Sequence, residues 1–394
     1  MQSTSPTLRD HYDIVIIGAG PSGLNALRSI NRSGEKVSIL LVDKSLPWER
    51  PIPCAEAVGR LGFHEAVEIK KSWIRFEVSN ATFHSPDNTV IQYSDKKKGY
   101  VINRALMQQD LFNEGIEHGI DCRTNIAVTR VSVPENSRRT IHFSNGSQTS
   151  CSWIIDASGP NSRFGKGEKI TWKNFDLEPA YFAVVKNVDI PTDTVHIQVG
   201  KALAPGGYAW VFPREEGIAN IGVLVGKAYR SKINIRVLLD TYIQNYFPGG
   251  EIIQRFAGPI PCGYERSTLA VKGLIKTGDA ANTINPVSRA GIVEAMISGK
   301  LAGEYALKML GASTEKQITK LGKEYEKAWY EKRGKRHQKL AKVKNSLAKV
   351  PDTDYNSAAR ALSDIPQREM TMSKIFKTSL SRFPRLVWAM RHLM

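Results

Sequence analysis

The sequence is poor in cysteine and has no long apolar run. Its four cysteines, Cys54, Cys122, Cys151 and Cys262, are too few for a disulfide scaffold, so a reducing, cytoplasmic location is expected. No run of 18 apolar residues is present, which predicts that no helix spans a membrane. The N-terminal residues lack an apolar segment, and this argues against a secretory signal. Neither a Cys-x-x-Cys pair nor a histidine cluster is present, so no metal site is predicted.

Acidic side chains are scarce relative to basic ones. The chain has 55 Lys and Arg against 38 Asp and Glu, and its formal net charge is +17. The imbalance is greatest from Gly311 to Met394, where 19 Lys and Arg stand against 8 Asp and Glu. A basic region of this kind can serve nucleic acid, an anionic lipid surface or an acidic protein partner.

The apolar residues of the C-terminal tail help to choose among these partners. Between Thr371 and Met394, large aliphatic and aromatic residues are mixed with Lys and Arg. This composition suits an interfacial helix pair on anionic lipid, broken at Pro384, and would make the protein peripheral to a membrane. A helix packed on the protein with a solvated basic face is the alternative. Nucleic acid is disfavoured because aliphatic side chains dominate and no binding motif is present.

The most informative motif is a glycine-rich turn, Gly18–Gly23, that follows the apolar run Tyr12–Ile17. The run predicts a buried parallel strand, and the residues after the turn predict an amphipathic helix. Gly18 would permit a tight turn, Gly20 would let the backbone approach a pyrophosphate, and Gly23 would let helix and strand pack closely. Strand, turn and helix in this order favour a dinucleotide-binding unit over an ordinary strand-to-helix turn.

A second apolar run, Val37–Val42, ends at Asp43, twenty positions after Gly23. An acid at this place accepts hydrogen bonds from a ribose of the dinucleotide. Free N–H groups at the helix N-terminus attract its diphosphate. We therefore expect the first segment of the chain to bind the cofactor through Gly18, Gly20, Pro21, Ser22, Gly23, Asp43 and Lys44.

Two later segments carry the same kind of signal. Ser152–Gly159 predicts a buried strand that ends in an acid and a glycine, and Leu274–Ala281 predicts a strand that ends in Gly278-Asp279. The residues between them mostly predict strands, and a helix is expected after the second segment. The sequence therefore predicts an α/β fold, in which a Rossmann-type lobe contains an inserted antiparallel β-sheet lobe and is followed by a helical C-terminal region.

Together with a fourth motif, Tyr208-Ala209-Trp210-Val211-Phe212-Pro213, these segments resemble the flavin-dependent geranylgeranyl reductase family, within the group that shares the p-hydroxybenzoate hydroxylase fold. The resemblance covers roughly residues 10–310. It implies FAD as the cofactor. The fourth motif looks like the family's Tyr-x-Trp-x-Phe-Pro signature and favours prenyl reductases over hydroxylases. The cofactor-binding residues that the resemblance adds are Arg104, Asp156, Gly159, Gly278, Asp279, Pro286, Gly291 and Ile292.

The expected domain boundaries follow from these segments. The FAD-binding lobe is assigned residues 1–75, 100–165 and 266–310, the substrate lobe 76–99 and 166–265, and the basic C-terminal helices 311–394. Within the FAD-binding lobe, the helix expected at 104–118 should turn Leu106, Leu111 and Ile116 inward.

The candidate substrate site centres on the aromatic motif. Tyr208, Trp210 and Phe212 alternate along a predicted strand and so share one face, either in the sheet core or as the wall of an apolar tunnel beside the flavin. An apolar wall suits a prenyl chain, which has no polar handle and must be bound through buried area. Pro213 and Cys262 are the other candidate substrate-binding residues.

Cys54, Glu56 and Tyr208 are the candidate catalytic residues. Members of the family often carry a cysteine at the place of Cys54, which could be a proton donor, a substrate gate, half of a redox pair with Cys262, or a structural loop residue. Glu56, Tyr208 and a flavin-bound water are the rival acids. The sequence does not rank these roles.

Three hypotheses for function follow. The first is an FAD-dependent reductase that saturates C=C bonds of a prenyl lipid, with NAD(P)H or a reduced, acidic redox protein as electron donor. In it, hydride from reduced flavin and a proton from an acid must reach the two alkene carbons together. The second is an aromatic-ring monooxygenase of the same fold. The third is a non-catalytic lipid-binding protein that retains a flavoprotein fold.

Overall fold

The computed structural model describes residues 7–49, 52–170, 176–264, 266–366, 369, 370 and 378, with only the backbone described at 95–98. The tail between Thr371 and Met394, which the sequence predicts to be interfacial, lies outside the described residues apart from Thr378. In the described residues, none of the helices is long and apolar enough to cross a bilayer.

Strands and helices alternate through the first part of the chain and strands dominate its middle. The strands are β1 His11–Ile17, β2 Ile39–Val42, β3 Ala57–Gly59, β4 Ile74–His84, β5 Val90–Ile102, β6 Asp121–Arg123, β7 Val128–Val131, β8 Arg139–Phe143, β9 Gln148–Asp156, β10 Leu177–Lys186, β11 Thr194–Gln198, β12 Tyr208–Glu215, β13 Ile218–Leu224, β14 Glu251–Pro261, β15 Ala270–Val271 and β16 Leu274–Lys276. The α-helices are α1 Pro21–Arg32, α2 Arg60–Ala66, α3 Arg104–Glu117, α4 Ile235–Tyr246, α5 Ile292–Leu310, α6 Glu315–Trp329, α7 Lys335–Leu347 and α8 Asp352–Ser363.

The first sheet has the order β15-β16-β9-β1-β2-β6, with β7 and β8 attached to β9. Its central strands β16, β9, β1 and β2 pair in parallel. Their inner segments are buried on both faces, as is usual for parallel strands covered by helices. Helices α1 and α5 pack closely on one face, since a Cβ at Gly299 would lie 2.1 Å from the Ser22 carbonyl oxygen. The dinucleotide-type lobe predicted from the sequence is confirmed.

The second sheet has the order β14-β10-β13-β12-β11-β4-β5-β3 and is antiparallel except for the parallel pair β4 and β11. Its two faces differ. One face packs under α4 through residues such as Val211, Ile221 and Leu239. The other carries a layer that includes Phe182, Trp210 and Phe256. This is the predicted inserted sheet, and the second face points towards the site described below.

Helices α6 to α8 complete the fold. Tyr325 and Trp329 of α6 are buried in the core of the first lobe. A π-helical segment, Tyr330–Gly334, joins α6 to α7 without a break. The C-terminal helices therefore pack on the protein as an integral part of it.

One detail of the predicted core is wrong. Helix α3 buries Met107, Leu111, Phe112 and Gly115, whereas Ile116 is exposed. The reason is close packing at Gly115, where an added Cβ would lie 2.7 Å from a Leu27 methyl group and 3.2 Å from the Cys122 sulfur. This contact sets the rotation of the helix and turns Ile116 to solvent.

Candidate active site between the two sheets

A single cavity of about 1540 Å³ is lined by residues of both sheets, of the glycine-rich turn and of the C-terminal helices. Pockets for one small molecule measure roughly 300 to 1,000 Å³. The cavity is therefore large enough for a second molecule beside the first. Its lining changes from backbone and polar groups at the first sheet to aromatic and aliphatic side chains at the second.

The glycine-rich turn is built for close backbone contacts. Gly18 has φ +106°, and a Cβ there would lie 2.4 Å from the Ala157 carbonyl oxygen. A Cβ at Gly23 would lie 1.9 Å from the Gly18 carbonyl oxygen. Gly20, by contrast, has no atom within 4 Å of the Cβ position and lines the cavity. Gly18 and Gly23 thus shape the turn, while Gly20 leaves room for a ligand.

Helix α1 begins at Pro21 directly after Gly20, and no side chain caps its N-terminus. Pro21 and Ser22 line the cavity, so the first turn of the helix faces it. Uncapped N–H groups and the positive end of the helix dipole form a site for an anion such as a diphosphate.

Asp43 lies at the end of β2 and is nearly buried on the cavity wall. Its Oδ2 accepts a hydrogen bond from the Ala19 backbone at 2.9 Å, and its Oδ1 accepts one from the Ser45 backbone at 3.1 Å. The acid therefore braces the glycine turn while it faces the cavity. Its neighbour Lys44 also lines the cavity and is exposed.

Asp156 ends β9 beneath the loop that carries Gly159. Its Oδ1 accepts hydrogen bonds from the Ser158 backbone and hydroxyl at 3.1 and 2.6 Å, and its Oδ2 accepts one from the Ser162 hydroxyl at 2.5 Å. The Lys276 ammonium lies 3.6 Å from Oδ2, and burial lowers the pKa of Lys276. Asp156 thus holds the loop from below, and Gly159 lines the cavity.

Asp279, which follows β16, and Arg104, at the start of α3, both line the cavity. Burial raises the pKa of Asp279 to about 6, and the positive charge of Arg104 opposes that rise. Gly278 has φ +61°, and a Cβ there would lie 2.8 Å from the Ser22 Cβ, so this turn packs against the start of α1.

A second helix N-terminus borders the same space. Gly291 and Ile292 line the cavity at the start of α5, where no side chain caps the helix. Pro286 lies in the preceding loop, whose turn is held by Asn285 Oδ1, an acceptor for two backbone N–H groups at 3.0 and 3.1 Å. The uncapped termini of α1 and α5, Asp43, Asp279 and Arg104 are all features that fit FAD. Among the described residues no His, Cys, Asp and Glu group could hold a metal ion.

The cavity wall formed by the second sheet is apolar. Tyr208, Trp210 and Phe212 of β12 all line the cavity, with Phe182 of β10 beside them. Gly222 of β13 makes room for the indole, since a Cβ there would lie 2.1 Å from Trp210 Cζ2 and 2.5 Å from the Phe182 Cβ. Among the described lining residues, Pro213 and Cys262 do not appear.

The Trp210 ring is tied to the loop that carries Cys54. Its Nε1–H donates to Asn220 Oδ1 at 2.8 Å, and the Asn220 amide donates to the Cys54 carbonyl oxygen at 3.0 Å. The sequence alone gives no signal for Asn220, because a single polar residue inside an apolar strand belongs to no motif.

The Cys54 loop places both of its candidate acids on the cavity wall. The Glu56 backbone N–H donates to the Cys54 sulfur at 3.2 Å, and Glu56 adopts φ +63°. One Glu56 carboxylate oxygen accepts a hydrogen bond from the Arg104 backbone at 3.1 Å, and the other pairs with Arg214 at 3.1 Å. Glu56 is therefore held firmly in place by two partners, whereas Cys54 is half-buried on the cavity wall.

Tyr208 and Cys262 are both kept protonated by their surroundings. The Tyr208 hydroxyl donates to the Ser288 carbonyl oxygen at 2.6 Å, and burial raises the pKa of Tyr208 well above its usual value. Burial also raises the pKa of Cys262, whose thiol donates to the Ile260 carbonyl oxygen at 3.4 Å. Both Cys54 and Cys262 are free thiols in the structure.

An ion cluster beside Tyr208 was not predicted. Arg289 pairs with Glu178 at 2.8 Å, and its guanidinium lies 5.4 Å from the centre of the Tyr208 ring. Lys344 of α7 pairs with the same Glu178 at 3.0 Å and also with Asp176. The cluster ties α7 to the loop before α5. Its charges come from distant parts of the chain, and Lys344 lies in the basic region that the sequence predicts to be a surface for a partner or an anionic lipid.

Two family models match separate parts of this chain, and several relatives match nearly all of it. The model of the geranylgeranyl reductase catalytic domain matches residues 176–260, and that of the lycopene cyclase protein matches residues 13–176. Digeranylgeranylglycerophospholipid reductase 2 of Methanococcoides burtonii is 30% identical over 394 residues, which cover 98% of this chain and 96% of the relative. The Methanosarcina mazei digeranylgeranylglycerophospholipid reductase is 29% identical, with 98% and 97% covered.

Solved structures give the same result. A geranylgeranyl bacteriochlorophyll reductase-like protein from Thermoplasma acidophilum superposes with a TM-score of 0.87 at 25% identity, and the match covers 98% of this chain and 100% of that one. The halogenase PltM L111Y mutant, solved in complex with FAD, superposes with a TM-score of 0.65 at 14% identity over 95% of this chain and 87% of that one. This second likeness shows a shared fold only.

Proposed function

Because the chain belongs to the geranylgeranyl reductase family, we propose that it is an FAD-dependent reductase that saturates C=C bonds in the prenyl chains of a glycerophospholipid. The observation that carries the proposal is the division of one cavity into a polar half and an apolar half. The polar half has two uncapped helix N-termini and the carboxylates of Asp43 and Asp279, which together suit a dinucleotide. The apolar half offers an aromatic wall to a hydrocarbon chain.

Reduced FAD, when bound, would supply the hydride for one alkene carbon. The residues that would hold it are the glycine turn and α1 for the diphosphate, Asp43 for a ribose, and Asp279, Arg104 and the start of α5 for the remaining polar groups. The α5 N-terminus would favour negative charge next to it.

The wall formed by Tyr208, Trp210, Phe212 and Phe182 would bind the prenyl chain. Such a chain gains affinity only from apolar area removed from water, at about 25 cal/mol per Å². The wall would also exclude water and hold the double bond in one orientation. Positioning of this kind is needed because an isolated alkene accepts hydride poorly and has to receive a proton at almost the same moment.

We assign the proton to the Cys54 thiol. Tyr208 directs its hydroxyl hydrogen to the Ser288 carbonyl, and both Glu56 oxygens already have partners. The Glu56 backbone N–H that donates to the Cys54 sulfur would stabilise a thiolate once the proton has left. Tyr208 would then contribute only to the aromatic wall that binds the prenyl chain, and Glu56 would hold Arg104 and the Cys54 loop in place.

The electron donor is proposed to be NAD(P)H or a small, reduced redox protein with an acidic surface. The net charge of +17 would favour association with an acidic partner. The lipid substrate and the same excess of positive charge support a working location at an anionic membrane surface.

A direct experiment tests this function. The purified protein should show the absorption spectrum of bound flavin, and the spectrum should bleach on anaerobic reduction. Incubation of the reduced protein with a digeranylgeranyl glycerophospholipid should then increase the lipid mass by two hydrogen atoms for each double bond. A colourless protein that does not take up FAD, or a lipid whose mass is unchanged with every donor, would refute the proposal. Rapid NAD(P)H oxidation with an aromatic substrate and oxygen would instead identify a monooxygenase.

A further inference from the structure

The outer face of α7 carries an unbalanced positive charge. The helix contains no Asp or Glu, and Lys335, Arg336, Lys339 and Lys342 are all exposed on it. Within the described part of the chain, none of these four has an ion-pair partner at 4 Å or less. We call these four residues the α7 basic face.

Neighbouring α6, unlike α7, contains acids that offset part of its positive charge. Lys320 lies four residues before Glu324 on α6 and pairs with it at 3.8 Å, and Lys327 pairs at 3.8 Å with Glu331 in the π-helical segment that follows. Such pairs reduce the net charge that the helix presents to solvent. The α7 basic face has no counterpart of these acids, so its field extends outward.

The opposite side of α7 forms part of the cavity wall. Lys344 and Leu347 line the cavity, and the lining continues through Ala348, Val350 and Asp352 at the turn into α8. The Lys344 charge is balanced by Glu178 and Asp176, so the inner side of the helix is neutral. Lys201 lines the same end of the cavity and is exposed, which places this end at the protein surface.

We propose that the α7 basic face docks on the surface of an anionic bilayer, so that the helix separates the membrane from the substrate half of the cavity. The inference rests on the proposed function, because only a lipid substrate requires the cavity to open near a membrane. Charge complementarity selects the occupant: each unpaired lysine or arginine close to a surface of anionic lipid strengthens binding. A lipid leaving such a surface would have to pass only one helix to reach the aromatic wall.

Vesicle sedimentation with the full chain tests the proposal. The vesicles contain phosphatidylcholine alone or phosphatidylcholine mixed with phosphatidylglycerol. The test variant combines Lys335→Gln, Lys339→Gln and Lys342→Gln, and the control combines Lys227→Gln, Arg230→Gln and Lys232→Gln, three exposed cations outside the cavity lining. Each cation near the surface contributes about fivefold to the affinity, so the test variant should bind the anionic vesicles about a hundredfold more weakly. The control should bind like the wild type.

Equal binding of wild type and test variant would overturn the proposal, and so would equal binding of wild type to neutral and anionic vesicles. A test variant that binds vesicles normally but is reduced slowly by an acidic donor protein would also overturn it and assign the α7 basic face to a protein partner. Lipid reduction measured in neutral detergent micelles tests the proposed function independently of vesicle binding. Both variants should retain that activity, whereas its absence in the wild type would refute the function without changing the vesicle result.

Discussion

Replacing Gly222 with alanine tests whether the aromatic wall binds the lipid. The added Cβ would lie 2.1 Å from Trp210 Cζ2, 2.5 Å from Trp210 Cε2 and 2.5 Å from the Phe182 Cβ. No contact of that length is tolerated, so the indole has to move. Overpacking of this kind costs about 1–3 kcal/mol of folding free energy. Loss of the hydrogen bond from Trp210 Nε1 to Asn220 adds about 1 kcal/mol.

We therefore expect Gly222→Ala to lower the free energy of unfolding by about 2–4 kcal/mol. A displaced indole that removes about 50 Å² of apolar contact from the lipid should raise the KM for lipid about tenfold. FAD affinity should stay unchanged, because Gly222 lies in the second sheet and the FAD-binding residues surround the first. Urea denaturation followed by circular dichroism measures the stability, and flavin fluorescence measures FAD binding.

Gly249→Ala is the matched control. Gly249 has no atom within 4 Å of its Cβ position, so the same substitution there should be neutral or stabilise by less than about 1 kcal/mol. Combining Gly222→Ala with Trp210→Phe removes the clashing part of the indole and should recover part of the lost stability. Native stability and native KM in Gly222→Ala would refute the reasoning, since they would mean that Trp210 does not occupy this wall.

Three further predictions follow from the site. Asp279 has a pKa raised from 3.8 to about 6 by burial, so the FAD-free protein should lose stability as the pH rises through this range, and Asp279→Asn should remove that slope in urea denaturation. Cys54→Ala should lower kcat by about 10²–10⁴-fold with unchanged lipid and FAD affinity, and an unaltered kcat in single-turnover assays would exclude the thiol as proton donor. Lys344→Met should destabilise the fold by about 2–3 kcal/mol because Glu178 loses one of its two cationic partners, and Lys344→Arg should restore most of the loss in thermal unfolding.

The parts of the site that could be predicted are those set by residues close together in the sequence. Gly18 is required by its φ of +106° and Gly23 by a 1.9 Å approach to the Gly18 carbonyl oxygen, both within one strand–turn–helix unit, so the motif is readable without knowledge of the fold. The same holds for the alternation of Tyr208, Trp210 and Phe212. Each of these patterns involves residues close together in sequence, where spacing alone determines which face a side chain occupies.

The parts that could not be predicted depend on distant partners. Glu178 meets Arg289 and Lys344, which lie 111 and 166 residues further along the chain, and nothing near any of the three suggests the others. The prediction that Ile116 points inward is wrong, although its apolar side chain fits the helical stripe. The fit of Gly115 against Leu27, which decides the outcome, appears only once α1 and α3 are packed.

The cofactor half of the cavity is assembled from stretches that lie far apart in the chain. The start of α1 packs closely against the turn at Gly278 and against Gly299 of α5, more than 250 residues later. During synthesis on the ribosome, the glycine turn therefore emerges early but has no complete partner surface until α5 has left the exit tunnel. Flavin loading is in this way linked to near-completion of the polypeptide, and a translation product that stops in the middle of the inserted sheet would carry the signature motif without a place to keep the cofactor.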